Sequence, residues 1–305
     1  MVQTWDSRRR DGLWGLLVGD ALGVPYEFHP ADQIPAYEDI ELEPPEGFDR
    51  SHAAVPAGTW SDDGAQALCL LDSLLRTGTL DLDDFATRML AWYDDGLWAV
   101  DDLGFDVGIQ TARALRDYAG RRDPRTSGLV DPNGQGNGAL MRVLPLALWH
   151  TGDDAALVRD AGLQALVTHG HVMNQMACAF YCLWARRLLD GYEPLAGWAD
   201  ALAWLRAHET DLDRVAAVER LALDEPPDGG GYVVQSFRAA RWLLVRCSSY
   251  EETVKRAVAL GNDTDTTACI AGGLAGIAFG NVPDRWLTAL RGRDQVETLL
   301  TTFAL

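Results

Sequence analysis

The chain has 305 residues, of which 48% are hydrophobic and 23% are charged, so it can bury a large core and is not expected to be disordered. Its 45 acidic and 26 basic side chains give a formal net charge of −19 at pH 7. A surface this negative repels nucleic acids and anionic lipids, which excludes both as general partners.

The cysteines and the apolar runs indicate a cytoplasmic protein. The five cysteines lie mostly in apolar stretches and form no CxxC pair, a pattern typical of buried free thiols in a reducing compartment. Residues 8–11 are charged and lack the apolar core of a signal peptide. The longest apolar run, residues 268–280, is too short and too rich in glycine to span a bilayer. No feature of the sequence predicts the oligomeric state.

Apolar residues recur at helical spacing along most of the chain, and no segment alternates apolar and polar residues as a half-buried strand does. The first helical stretch spaces glycines along an apolar run, which lets neighbouring backbones approach closely. We predict an all-α fold, with residues 1–305 forming a single domain of many helices. The clearest helical stretches are residues 15–23, 65–76, 177–188, 198–205 and 215–221.

Three segments interrupt this helical pattern. Residues 29–58 are rich in proline and acidic side chains and are predicted to form a long surface loop. Residues 120–138 combine arginine, proline, asparagine and glycine, and residues 224–231 (DEPPDGGG) form a turn or short linker. Long loops in a compact helical domain usually border a site, so the first two segments are candidates.

Two acidic clusters each stand directly before a predicted helix: GTWSDDG at residues 58–64 and GNDTDT at residues 261–266. Capping is the ordinary role of such residues, but one side chain is enough to cap a helix, and each cluster has two acids and a hydroxyl. Ligands that are all oxygen suit Mg²⁺ or Mn²⁺ rather than zinc. If the two helix starts converge, their four carboxylates and two hydroxyls are enough for two ions.

Other candidate site residues lie outside these clusters. Asp20 stands in an apolar run, where a buried acid must be hydrogen-bonded or paired, and Glu27 follows the helix end, within reach of a cleft. The alternating glycines of NGQGNG (residues 133–138) expose N–H groups that, with a helix predicted to follow, could bind an anion such as a diphosphate. Both histidines of THGH (residues 168–171) could bind a metal, but alternate residues on a helix point apart, so one of them is expected at the surface or as a helix cap.

In this order, the segments resemble those of the ADP-ribosylglycohydrolase family, which includes the dinitrogenase reductase-activating glycohydrolases. The resemblance implies a compact all-α orthogonal multi-helix bundle with a dinuclear Mg²⁺ or Mn²⁺ centre. It also implies hydrolysis of the bond from C1″ of ADP-ribose to a protein side chain or a small acceptor. The segments that carry it are GDALGVPYE (19–27), TWSDDG (59–64), FDVG (105–108), GNGALMR (136–142), THGH (168–171) and GNDTDT (261–266).

Position by position, the resemblance also implies roles for individual residues. The catalytic residues expected on this basis are Asp62, Asp63 and Glu27, with Asp62 or Asp63 favoured over Glu27 to take the proton from the attacking water. Glu27 is either a metal ligand or a mobile acid/base. The implied metal ligands are Ser61, Asp62, Asp63, Asp263, Asp265 and Thr266. The residues implied to bind ADP-ribose are Gly134, Gly136, Asn137, Gly138, His169 and Asp106.

This chain departs from the family pattern beside the first acidic cluster. The family commonly has threonine at the positions of Ser61 and Gly64. Ser61 keeps a hydroxyl ligand, whereas Gly64 has no side chain. The absence of a supporting hydroxyl at Gly64 predicts weaker metal binding.

Two other functions fit the same residues. A dinuclear-metal phosphohydrolase acting on free nucleotides would also use oxygen ligands and an anion-binding loop. A non-catalytic relative that binds ADP-ribose is permitted by the change at Gly64. The expected partner is an ADP-ribosylated protein or a small ADP-ribosyl conjugate, and the sequence does not specify an arginine, serine or O-acyl linkage.

Overall fold

The computed structural model describes residues 6–302 and 305, and within them the fold is all-α, as predicted. The only β-type pairings among these residues are two isolated bridges, which join Pro30 to Gly261 and Gly136 to Tyr232. The α-helices are α1 (Ser7–Gly23), α2 (Asp62–Thr77), α3 (Leu82–Asp95), α4 (Ile109–Arg121), α5 (Leu144–Trp149), α6 (Asp154–Ala165), α7 (Val172–Leu189), α8 (Pro194–His208), α9 (Leu212–Leu221), α10 (Val233–Arg246), α11 (Tyr250–Val258), α12 (Thr264–Phe279), α13 (Asp284–Ala289) and α14 (Arg293–Thr302).

Helices α1 and α12 come from opposite ends of the chain and pack against each other in the core. A Cβ atom at Gly19 would overlap the carbonyl oxygen of Ala268, and one at Gly23 would overlap the Cα atom of Asp265. Only glycine allows this approach, so the glycines of α1 serve packing, as predicted. The same contact sets the end of α1, where Glu27 follows, against the start of α12.

The loop of residues 29–58 is anchored to the helices near the C-terminus. Its Glu41 carboxylate pairs with the buried ammonium group of Lys255 in α11, at 3.1 Å. Arg285 in α13 pairs with the same carboxylate at 3.1 Å, and the indole N–H of Trp286 donates to it at 2.5 Å. This loop is therefore held by charged contacts on two helices and is not a freely moving connection.

Several expectations about local structure can now be compared with the fold. All five cysteines are free and buried, as predicted. In the loop of residues 29–58, Ile40 and Leu42 are buried, so part of the predicted surface loop belongs to the core. No helix in the described part of the chain combines the length and apolar character needed to cross a bilayer.

The prediction of a helix directly after NGQGNG (residues 133–138), which we call the glycine loop, was wrong. Residues 138–142 form turns, and the six-residue helix α5 begins only at Leu144. Pro145 occupies the first turn of α5, where its missing N–H costs no helical hydrogen bond, and this position favours a helix start at that point.

Candidate metal and substrate site

The start of α2 presents two carboxylates to the interior. Ser61 is the N-cap, and its hydroxyl accepts a hydrogen bond from the Asp63 N–H at 3.3 Å. Asp62 accepts from the side-chain amide of Gln66, one turn along the helix, at 2.7 Å. Ser61 therefore performs the ordinary capping role, and neither acidic side chain is needed for it.

The start of α12 is built differently. Asp263 is the N-cap residue but makes no side-chain capping bond, and its carboxylate instead accepts from the Asn137 amide at 2.6 Å. One oxygen of Asp265 accepts from the Thr266 N–H at 2.9 Å. The Thr264 hydroxyl donates to the carbonyl of Gly23 at 2.8 Å, which ties this helix start to the end of α1.

The two helix starts meet in the interior. The Thr266 hydroxyl oxygen lies 3.4 Å from a carboxylate oxygen of Asp63, although the two residues are 203 positions apart. Asp63 and Asp265 are almost completely buried. One oxygen of each, Oδ1 of Asp63 and Oδ2 of Asp265, has no hydrogen-bond partner among the described residues.

Glu27 completes what we call the carboxylate cluster: Glu27, Asp62, Asp63, Asp263 and Asp265. Carboxylate oxygens of Glu27, Asp263 and Asp265 lie within 4.8 Å of one another, a spacing that could hold a metal ion. Glu27 is itself buried, just beyond the 3₁₀ turn Val24–Tyr26 that follows α1.

Burial and mutual repulsion make the ionised form of these groups costly. Burial, followed by repulsion from Asp106, raises the pKa of Glu27 to about 10. Burial also raises the pKa values of Asp62, Asp63 and Asp265 well above the ordinary range, with repulsion between neighbouring carboxylates adding to it. Divalent cations would offset this repulsion and satisfy the unpartnered oxygens. The residues present therefore fit hard divalent cations.

Asp20 supports the start of α2 from α1. Its buried carboxylate accepts hydrogen bonds from the Ser61 N–H at 2.9 Å and from the Gly64 N–H at 2.7 Å. Burial raises the pKa of Asp20 to about 7, although the two backbone donors act in the opposite direction. The expectation that this acid is hydrogen-bonded is confirmed.

The surroundings of Gly64 explain why this chain has no side chain there. A Cβ atom at Gly64 would lie 2.8 Å from the Trp60 indole ring and 2.9 Å from a methyl group of Leu17. Both distances are shorter than van der Waals contact, so Trp60 and Leu17 already fill the space that a threonine would need. Weaker metal binding as a result of this change stays a prediction.

A buried arginine is linked to the carboxylate cluster through a glutamine side chain. Arg142 is fully buried and donates to the side-chain oxygen of Gln66 at 3.0 Å, while the Gln66 amide donates to Asp62. Arg142 also donates to the Gln164 side chain at 3.2 Å, and burial lowers its pKa to about 10. The motif GNGALMR thus contributes a positive charge that reaches Asp62 through one intervening amide.

The glycine loop lies against the cluster through Asn137, which bonds to Asp263. Two of its N–H groups are used within the fold: Gly134 donates to the Asp131 carbonyl at 2.9 Å, and Asn137 donates to the Gly231 carbonyl at 3.2 Å. The loop therefore offers an anion fewer free N–H groups than the alternating glycines predicted. One of the two is used because the bridge between Gly136 and Tyr232 sets the loop against the start of α10.

Gly136 and Gly138 leave room for the ring of His169. A Cβ atom at Gly138 would lie 2.7 Å from Cε1 of that ring, and one at Gly136 would lie 3.5 Å from Nε2. Burial lowers the pKa of His169 to about 3, so the ring is neutral near pH 7. His171 caps α7 by accepting from the Met173 N–H at 3.1 Å, which confirms the expectation that one histidine of the pair is a cap.

Asp106 stands at the outer side of Glu27. Its backbone φ is +59°, an uncommon conformation for a residue other than glycine, and burial raises its pKa to about 6. Its carboxylate lies 3.8 Å from Nε2 of His52, and the same nitrogen lies 2.7 Å from Oε2 of Glu27.

Reasoning from the sequence missed three residues of this region: His52, Gln66 and Gln110. Gln66 stands four residues after Asp62, a spacing that could have indicated their contact. Gln110 donates to the carbonyls of Gly134 and Thr168, at 3.1 and 3.3 Å. Neither His52 nor Gln110 stands at a spacing or in a motif that points to the site.

Comparison with known proteins shows the family. The family model described as ADP-ribosylglycohydrolase matches residues 1–304. The chain is 27% identical to the ADP-ribosylarginine hydrolase Tri1 of Pseudomonas putida over 295 residues, 96% of this chain and 76% of that protein. It is 28% identical to the ADP-ribosyl-(dinitrogen reductase) glycohydrolase of Rhodospirillum rubrum over 317 residues, 98% of this chain and 97% of that protein.

A solved structure has the same fold. It is described as an ADP-ribosylglycohydrolase-related protein complex, and its comparison with this chain gives a TM-score of 0.77 at 34% identity, covering 98% of this chain and 97% of that one. With a family match over almost the whole sequence and a shared fold, the chain belongs to the ADP-ribosylglycohydrolase family and is a hydrolase of the ADP-ribosyl glycohydrolase class.

Proposed function

We propose that this chain hydrolyses the bond between C1″ of ADP-ribose and an arginine side chain, using two Mg²⁺ or Mn²⁺ ions held at the carboxylate cluster. The observation that carries the metal requirement is the pair of buried carboxylate oxygens, on Asp63 and Asp265, that lack a partner among the described residues. Ser61, Asp62, Asp63, Asp263, Asp265 and Thr266 would hold the ions.

The ions would supply positive charge that orients ribose hydroxyls and makes a water molecule more acidic. The residues around the ions would bind and orient the ADP-ribose. Asn137 keeps the glycine loop against Asp263, and Gly136 and Gly138 let the neutral ring of His169 pack against this loop, where it would contact part of the ADP-ribose. The loop N–H groups that the fold does not use would face the diphosphate.

The hydrolytic step needs one base. Water oxygen forms a bond to C1″, the bond from C1″ to the guanidinium nitrogen breaks, and that nitrogen keeps the electron pair and gains a proton. Asp62, Asp63 and Glu27 are the candidates to take the proton from water. The sequence favoured Asp62 or Asp63, but Gln66 binds Asp62 and Asp63 faces two hydroxyls. We therefore favour Glu27, which lies beside the partly exposed Asp106.

Arginine is favoured as the acceptor for an electrostatic reason and by similarity. A cationic guanidinium group is attracted to a protein with a net charge of −19 and to a site lined by Glu27 and Asp106. The Tri1 relative is named as an ADP-ribosylarginine hydrolase. We also propose that residues 1–305 form a single domain, because helical spacing runs along most of the chain. A cytoplasmic location is proposed because the five cysteines are buried free thiols.

The test is a release assay on a panel of substrates with arginine-linked, serine-linked and O-acetyl ADP-ribose. We expect free ADP-ribose and unmodified arginine in Mn²⁺ or Mg²⁺, and no release in EDTA. Release of inorganic phosphate or AMP from free nucleotides would instead support a phosphohydrolase. Calorimetric binding of ADP-ribose without turnover of any substrate would support a non-catalytic relative.

A further inference from the structure

A short segment of the loop of residues 29–58 closes over Glu27. The Ser51 N–H donates to the carbonyl of Pro25 at 2.9 Å, and the Ser51 hydroxyl donates to the carbonyl of Glu27. The next residue, His52, places its ring nitrogen Nε2 2.7 Å from the Glu27 carboxylate. Two successive loop residues therefore hold both the backbone and the side chain of one member of the carboxylate cluster.

His52 is itself firmly placed. Its ring contacts the rings of Phe28 and Phe105, with centroid distances of 5.7 and 5.1 Å, and its side chain is 16% exposed. Its carbonyl accepts from the Val55 N–H at 2.7 Å. His52 and Phe28 both have positive φ angles, of +51° and +62°, which are strained for bulky residues. Such strain persists only where the surrounding structure enforces it, and it concentrates at functional sites.

Glu27 needs such a restraint because of its neighbours. Its carboxylate shares one 4.8 Å group with Asp263 and Asp265 and another with His52 and Asp106. When Glu27 is ionised, as a base must be, repulsion from these neighbouring carboxylates would favour rotamers that carry it away from the cluster. The His52 ring lies within hydrogen-bond distance of the Glu27 carboxylate, at 2.7 Å, so it opposes this movement.

We propose that His52 is a positioning residue, which holds the Glu27 carboxylate at the carboxylate cluster and makes the segment of residues 51–52 a part of the site. This inference rests on the proposed function, since Glu27 must act at the cluster for its position to matter. Its consequence is that a loop segment without any motif controls the turnover rate through one hydrogen bond.

The test compares His52→Ala with His52→Gln, whose amide can restore the hydrogen bond. His29→Ala is the matched control, because the His29 ring is within hydrogen-bond distance of the backbone carbonyls of Glu27 and Tyr26 rather than the carboxylate. We expect His52→Ala to lower kcat about 10- to 100-fold, the usual effect of losing a residue that orients a site ligand, with KM changed less than about threefold. His52→Gln should recover most of kcat, and His29→Ala should stay within about twofold.

A double-mutant cycle separates positioning from other effects. If His52 acts only through Glu27, Glu27→Gln combined with His52→Ala is no slower than Glu27→Gln alone. Further multiplicative loss in the double variant would overturn the proposal, as would equal losses in His52→Ala and His29→Ala, or a His52→Gln variant as slow as His52→Ala.

A second measurement does not depend on turnover. In ¹⁵N-histidine-labelled protein without metal, the ring signals of His52, assigned by their loss in His52→Gln, should shift strongly in Glu27→Gln and stay in place in His29→Ala. Unshifted signals in Glu27→Gln would overturn the proposal. If the unmodified protein releases no ADP-ribose from any substrate, the proposed function fails on its own, and this measurement still decides whether His52 holds Glu27.

Discussion

Helix α2 buries carboxylates near both of its ends, and the protein surrounds them differently. Near its C-terminal end, Asp72 bonds to the guanidinium groups of Arg88 and, at 2.6 Å, of Arg76, and it accepts from the Trp98 indole N–H at 3.3 Å. At its start, Asp63 is just as buried, 1% exposed in each case, but the charged groups that act most strongly on it are other carboxylates.

This contrast shows what the fold does when a buried acid is structural. It supplies arginine side chains, because a buried charge without a partner costs several kcal/mol. No such partner accompanies Asp63, so we infer that its cation comes from solution. Asp72 shares the helix, the residue type and the burial of Asp63, which makes it a matched control.

The largest expected effect is on turnover in Asp63→Asn. This change keeps the size of the side chain and removes one charge from the proposed metal site. We expect ADP-ribose release to fall about 10⁴-fold, which is about 5.5 kcal/mol of activation free energy. The melting temperature without metal should be unchanged or higher, because repulsion in the cluster is reduced. Turnover within tenfold of the unmodified protein would contradict the assignment.

Asp72→Asn should have the opposite effect. Removing this charge takes the shared carboxylate from Arg88, which keeps Asp84, and from the half-exposed Arg76. Losing a charged partner of this kind costs up to about 3 kcal/mol of unfolding free energy. Chemical denaturation measures this loss. The kcat of the remaining folded enzyme should stay within about threefold, and a large fall in kcat without loss of stability would break the contrast between the two ends of α2.

Divalent cations should stabilise the folded protein through the cluster. At a Mn²⁺ concentration 100 times the dissociation constant, one bound ion adds about 2.7 kcal/mol to the free energy of unfolding. Thermal denaturation with Mn²⁺ and with EDTA measures the gain. Asp72→Asn should keep the Mn²⁺-dependent increase and Asp63→Asn should lose it. Equal increases in both variants would show that the ion binds elsewhere.

Gly64→Thr should give the smallest effect. It introduces the residue that is common in the family, but here Trp60 and Leu17 occupy the space. Overpacking of this kind costs about 2 kcal/mol. We expect a lower melting temperature and no gain in Mn²⁺ affinity, measured by titration calorimetry. A variant that binds Mn²⁺ more tightly at unchanged stability would support the interpretation of Gly64 as a lost supporting residue.

The meeting of the two acidic helix starts could be predicted from chemistry alone. Grouped acids at two helix starts exceed what capping requires, and a shared cation is the ordinary reason for such groups, so the meeting of Asp63 with Thr266 was expected and the structure contains it. The helical fold followed from apolar spacing in the same way. The assignment of individual ligands and catalytic groups stays a prediction.

Other features depend on contacts that spacing does not encode. His52 reaches Glu27 across 25 residues of irregular loop, and no periodicity links the two. The space around Gly64 depends on Trp60 and Leu17, which lie on different segments. The glycine loop looked free to bind an anion, but its pairing with the start of α10 uses part of its N–H groups.

The most direct test of the central claim is anomalous diffraction at the manganese edge from crystals grown with Mn²⁺. The account predicts two peaks between the starts of α2 and α12, within about 2.3 Å of carboxylate oxygens that include Oδ1 of Asp63 and Oδ2 of Asp265. Well-ordered density for the cluster at millimolar Mn²⁺, with no peak between these carboxylates, would contradict it.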